Sequence, residues 1–191
     1  MSAIAAPLPR ATRGPLFKAV AAVLAVAVVA LAGIGVDRLA RQPHRLSVPL
    51  YTAPGKAFRI ALPKGWRALS ATQLRALRPA PAAVLRRADG HATIVMRPAP
   101  ALHGTPAQVM RALATQLRGR FHGFKPVSAR IARLRGGSAI VYTFVRDPAG
   151  TVQTLVLAPA GGRLWEIDAV MPGGGPTVAR QAGAMLATFG S

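Results

Sequence analysis

From residue 55 onward the chain changes between two hydrophobic periods. In FRIALP, 58 to 63, Phe58, Ile60 and Leu62 alternate with Arg59 and Ala61, the pattern of a half-buried strand. Gly65-Trp66 then leads into RALS, a second short strand or a turn, and ATQLRALR, 71 to 78, reads as a short helix stopped by Pro79. HATIVMRP, 91 to 98, is a strand with Ala92, Ile94 and Met96 on one face. Between Gly104 and Phe121 the spacing becomes helical. Thr105 is placed as cap and Pro106 as first helical residue, Val109, Leu113 and Leu117 recur on one side, and Gly119 or Gly123 lies near the end. Four strand-like runs follow, PVSARIARL, SAIVYTFVR, TVQTLVLAP and RLWEIDAVM. They are separated by the turn segments Arg135-Gly136-Gly137, Asp147-Pro148-Ala149-Gly150 and Ala160-Gly161-Gly162. Connections this short join antiparallel neighbours, so the four runs are expected as a meander. A last helix is expected after Gly175-Pro176-Thr177, with Val178, Ala182, Met185 and Phe189 on one side.

These elements make residues 55–191 one α+β domain: an antiparallel meander sheet flanked by helices, an α/β/α sandwich. The chain ahead of it has another character. Residues 19–36 carry no charge and no polar stripe. As a helix they would span roughly 27 Å, close to the apolar thickness of a bilayer. The expected order is a short basic tail over 1–15, a transmembrane anchor over 16–36 and a juxtamembrane linker over 37–54. Arg10, Arg13 and Lys18 before the run, and Ala30-Leu31-Ala32 within it, are also the parts of a signal peptide. The run continues through Ile34 and Val36, longer than the usual signal core, so a single-pass anchor with the C-terminal domain outside the cytoplasm is the reading adopted. Cleavage and secretion is the alternative. Arg38, Arg41 and Arg45 follow the span and balance the preceding charges, so the positive-inside rule does not set its orientation.

Charge adds a direction. There are 25 basic and 5 acidic residues, a net charge of +20, and no cysteine. The missing cysteine excludes disulfides, thiolate nucleophiles, cysteine-bound zinc and a lipid-modified cysteine. The field favours polyanions or anionic surfaces. One stretch concentrates it: Arg118, Arg120, Lys125, Arg130, Arg133 and Arg135, interleaved with Phe121, His122 and Phe124, form a candidate anion-binding cluster. That composition suits anionic lipid headgroups and single-stranded nucleic acid. The plain alternative is a solvated face with Phe121 and Phe124 in the core. An anchor places anionic lipid, wall polymer or an envelope protein ahead of nucleic acid as partner.

Catalytic chemistry finds little to use. In WEIDAV, strand alternation puts Trp165, Ile167, Ala169 and Met171 on a core face and Glu166 and Asp168 together on the other. That second face is expected to be wet, its two carboxylates paired with arginines of a neighbouring strand and not acting as an acid/base pair or cation site. His44, His91, His103 and His122 are far apart, with no HxH or HxxxH spacing, so no metal site is expected. There is no G-x-S-x-G, a hairpin turn accounts for Ser138 after Gly136-Gly137, and GGG at 173–175 lacks the Gly-Lys-Ser/Thr ending of a phosphate loop. The expectation is a non-enzyme with no catalytic residue, metal or cofactor.

The opening FRIALPKGWRAL, the Gly104-to-Phe121 helix, the Gly161-Gly162-Arg163-Leu164-Trp165 strand start and the closing MLATF at 185–189 resemble the PsbP-like family. That family includes extrinsic photosystem II subunits, Ran-binding Mog proteins and exported bacterial domains such as the LpqN-type lipoproteins. The resemblance covers 55 to 190. It implies an antiparallel sheet sandwiched by helices, and an accessory, binding or assembly role in place of catalysis. The lipobox cysteine of the lipoprotein relatives is missing, and five acids leave no counterpart of the acidic surface used by the Ran-binding relatives. No functional residue is carried over.

Overall fold

The computed structural model describes residues 48–173 and 175–191. The expected tail, membrane span and most of the linker lie outside them, and among the described residues no helix is long and apolar enough to cross a membrane. In chain order the elements are β1 (Leu50–Thr52), a 3-10 turn (Pro54–Lys56), β2 (Arg59–Ala61), β3 (Trp66–Ala68), α1 (Ala71–Ala76), β4 (Ala83–Arg87), β5 (Thr93–Pro98) and α2 (Pro106–Arg120). They continue with β6 (Lys125–Leu134), β7 (Gly137–Val145), β8 (Val152–Ala160), β9 (Arg163–Met171) and α3 (Pro176–Ala187).

β3 to β9 form one antiparallel sheet in the order β3-β4-β5-β9-β8-β7-β6, while β1 and β2 pair separately. The chain builds one half by hairpins and crosses through α2 to the far edge. It then returns as the expected meander, so that β9 docks beside β5. Both α1 and α2 start on reciprocal caps, Ser70 with Gln73 and Thr105 with Gln108, which satisfy backbone N–H groups left open at a helix start.

The two sheet faces are covered by different helices. Trp165, Ile167, Ala169 and Met171 of β9 pack with Val178, Ala179, Ala182, Met185 and Leu186 of α3, and with Phe58 and Ile60. On the opposite face, Leu117 of α2 packs on Tyr142, Phe144 and Leu155, and Val109 packs on Ile140 and Leu157. β7 and β8 are therefore buried on both sides, which explains why their sequences run apolar with little alternation.

Two strands are additional to those read from the sequence. Ala83–Arg87 pairs with both β3 and β5. Its signal is Asp89-Gly90 between two apolar runs, a hairpin pair; Gly90 takes φ +77° and Asp89 Oδ1 accepts the His91 N–H at 3.0 Å. Leu50–Thr52, at the end of the segment read as linker, pairs with β2.

One corner gathers distant parts of the chain. The Arg59 N–H donates to the Gly190 carbonyl at 2.6 Å, and the Gly190 N–H returns to the Arg59 carbonyl at 3.1 Å. The Gly136 N–H donates to the Phe189 carbonyl at 3.0 Å. Inside, the Phe58 ring lies 4.7 Å from Trp165 and 5.1 Å from Phe189. The β1–β2 hairpin, the β6–β7 turn and the C-terminus thus close on one another.

Candidate functional site

β9 lies between β5 and β8, and this fixes what surrounds its two acids. Glu166 stands opposite Arg97 and Leu157, and Asp168 opposite Val95 and Leu155. Asp168 Oδ1 accepts from Gln153 Nε2 at 2.7 Å, and its Oδ2 is 3.6 Å from Arg97 Nη1. The expected arginine partner on a neighbouring strand is thus present. The expected wet face is not. Leu155 and Leu157 lie under α2, Gln153 is buried, and the Asp168 side chain is only 14% exposed. Alternation gave the face correctly; the helix that screens it is a tertiary fact.

Burial holds the Glu166 carboxyl above the usual glutamate range, and the neighbouring Asp168 charge pushes the same way against Arg97 and Arg120. Arg97 Nε, Gln153 Oε1 and Arg146 Nε, all on this α2 side, are buried without a hydrogen-bond partner. Glu166 therefore stands beside Asp168 in a partly dry layer. Among the described residues no group of three or more His, Asp or Glu could hold a metal ion.

The sign of the stability effect follows. Folded Glu166 keeps its proton to a higher pH than unfolded Glu166, so stability falls as pH rises from the ordinary glutamate pKa through the raised one. Glu166→Gln is expected to flatten that slope. At pH 7 it should also raise stability by up to about 1 kcal/mol, the scale of one net hydrogen bond. Thermal unfolding of both proteins at acid and neutral pH checks this; a lower neutral melting temperature for the variant would contradict it.

The other described acids fasten turns. Asp89 is held below its usual range by the His91 N–H and by Arg87, whose Nε lies 2.6 Å from Asp89 Oδ2. Asp147 is lowered by the Thr151 N–H, with Arg146 adding to it.

The basic cluster is spread over several surfaces. Arg118 and Arg120 are exposed in the last turn of α2, and Lys125 opens β6. Arg133 is exposed on the α2 side of β6, roughly 26 Å along the strand from Lys125. Arg130 points to the opposite side and lines the space beneath α3 with Thr143, Thr154 and Met171. Arg135 is exposed in the β6–β7 turn, where its N–H donates to the Ala187 carbonyl at 3.3 Å. The aromatic members serve packing: Phe121 lies 5.6 Å from Phe144, and Phe124 lies 6.3 Å from Tyr142. Arg120 and Arg146 each sit 5.4 Å from the Phe121 ring centre, which engages that ring internally. The segments that close at the corner instead carry Lys56, Arg59, Arg135 and Arg163, all exposed. Backbone hydrogen bonds between segments far apart in sequence bring these residues to one corner, so no local pattern marks them.

No family model matches the chain, and no curated protein matches it in sequence. The fold does find relatives. The solution structure of cyanobacterial PsbP (CyanoP) from Synechocystis sp. PCC 6803 superposes with a TM-score of 0.53 at 13% identity, covering 78% of this chain and 95% of that one. The fold is PsbP-like. LpqN of Mycobacterium tuberculosis, described as involved in cell envelope biogenesis, superposes with a TM-score of 0.47 at 16% identity, over 77% of this chain and 86% of that one. In this PsbP-like domain the antiparallel sheet and flanking helices agree with the expected architecture.

Proposed function

We propose that this chain is a membrane-tethered, non-catalytic accessory protein whose PsbP-like domain is displayed outside the cytoplasm and binds or helps assemble an envelope partner. The observation that carries the reading is where its acids go. Asp89 and Asp147 fasten turns, Asp168 is bonded to Gln153 and faces Arg97, and Glu166 is half-buried beside it. None of these carboxylates is left to lead a reaction, and among the described residues most of the basic side chains are exposed. The corner residues Lys56, Arg59, Arg135 and Arg163 lie beside the β1–β2 hairpin, close in sequence to the apolar run at 16–36. Tethering there would turn a basic rim toward anionic headgroups, each nearby basic residue contributing on the order of 1 kcal/mol.

The test is protease protection of a tag joined through a flexible linker after Ser191, in intact cells and after opening the envelope. Digestion of the tag once the envelope is opened, with full-length protein in the membrane fraction, is the expected result. Protection until lysis would place the domain in the cytoplasm and sink the proposal. The second reading, a polyanion binder using the exposed members of that set, Arg118, Arg120, Lys125, Arg133 and Arg135, then leads. It predicts heparin retention that weakens steeply between about 50 and 300 mM salt.

A further inference from the structure

The seven-stranded sheet ends in two unlike edges. β3, at one side, is 3 residues long, the kind of short edge by which sheets avoid stray pairing. β6, at the other, is 10 residues long, about 33 Å of extended backbone. Among the described residues no strand pairs with its outer side. The register shifts between Pro126 and Ser128, and Pro126 has no N–H, so regular pairing is open along Ser128–Leu134. Ile131, in the middle of that stretch, is 55% exposed, the most exposed of the large apolar side chains described. Arg133 and Arg135 follow it and Lys125 opens the same strand, all exposed, and no acidic residue occurs between Phe121 and Val145.

We propose that the outer edge of β6 is a docking site for an extended, acidic segment of a partner protein, which joins the sheet as an additional strand. Backbone groups of β6 supply the pairing, Ile131 receives one apolar side chain, and Arg133 and Arg135 receive carboxylates beside it. Charge selects this occupant over a second copy of the chain. Two β6 edges set against each other would bring the basic side chains of one strand against those of the other, with no acid on either strand to offset them. The inference gives the partner proposed above a place and a chemistry, and rests on that reading only for the existence of a partner.

The experiment uses the full chain in non-ionic detergent and three capped octapeptides. The first alternates Glu with Val and Thr, the second has Lys for every Glu, and the third is the acidic peptide with a central Pro. Binding and backbone amide exchange are both measured. The acidic peptide is expected to bind and to slow exchange across Ser128–Leu134, with the other two at least about tenfold weaker. Arg133→Glu and Ile131→Ser, both at exposed positions, should each weaken it severalfold while melting as the wild type does. Equal binding of the Pro-containing peptide, or binding without protection of β6, would overturn the edge site and leave only diffuse charge attraction. Failure of every peptide to bind overturns it as well. Tag protection judges export independently, so the two proposals fail separately.

Discussion

Phe58→Ala is expected to destabilise the domain by about 3–5 kcal/mol, the range for emptying a large buried aromatic site. Phe58 has no exposed surface, and its ring meets Trp165 edge-on, Phe189 and Tyr51. Those neighbours belong to three separate pieces of chain. Each is held by backbone bonds near the ring: Ala53 N–H to the Phe58 carbonyl at 3.0 Å, the Arg59–Gly190 pair, and the β8–β9 ladder that carries Trp165. The cavity therefore has little freedom to collapse. Against a total of about 5–15 kcal/mol for a typical domain, this is a large fraction. Urea unfolding of the full chain, followed by the fluorescence of Trp66 and Trp165, measures it. A loss below about 1 kcal/mol would mean that this corner is not part of the cooperative core.

Gly136→Ala is the second large effect, and it arises from crowding. A Cβ on Gly136 would lie 2.4 Å from the Pro159 carbonyl oxygen and 3.1 Å from the Gly190 Cα. Both are backbone atoms of tied segments, so neither can rotate away. A cost of about 1–3 kcal/mol or more is expected for such overpacking. Gly119 provides the matching control. It lies in α2 with nothing within 4 Å of an added Cβ and no positive φ. Gly119→Ala should stabilise by about 0.4–1 kcal/mol, because alanine restricts the unfolded chain more than glycine does. Opposite signs from the same chemical change, read in one melting series, separate packing from backbone freedom. Equal effects at the two positions would refute the account.

Much of the fold was legible because its signals are local. Thr105, Pro106 and the Val109-Leu113-Leu117 spacing specify α2 by themselves, and three short turns dictate the meander from β6 to β9. β4 was harder, since Ala83–Arg87 is apolar for three residues and then basic for two, without alternation; only Asp89-Gly90 marks it. β1 is held by its pairing to β2 and has no pattern of its own. The acid pair was half legible. Its shared face and its arginine partner follow from strand geometry, whereas the shift at Glu166 depends on α2 covering the adjacent strand. For the basic residues, Arg130 and Arg133 are three apart on one strand, an odd spacing that puts them on opposite faces. That was readable in advance; the closing at one corner of the segments that carry Lys56, Arg59, Arg135 and Arg163 was not.

The β1–β2 hairpin also fixes how this domain answers a pull. Force applied at Val48 and directed away from β2 meets first the bond from the Leu62 N–H to the Pro49 carbonyl, and then opens the pairs Leu50↔Ala61, Tyr51↔Ile60 and Thr52↔Arg59 one after another. Unzipping bonds in sequence needs far less force than shearing them together, so β1 yields early and lengthens the chain. Only then does load arrive at Phe58 and the Arg59–Gly190 pair, where several segments resist at once. The hairpin is a mechanical fuse in series with the sheet, letting it give under tension while the seven strands stay folded.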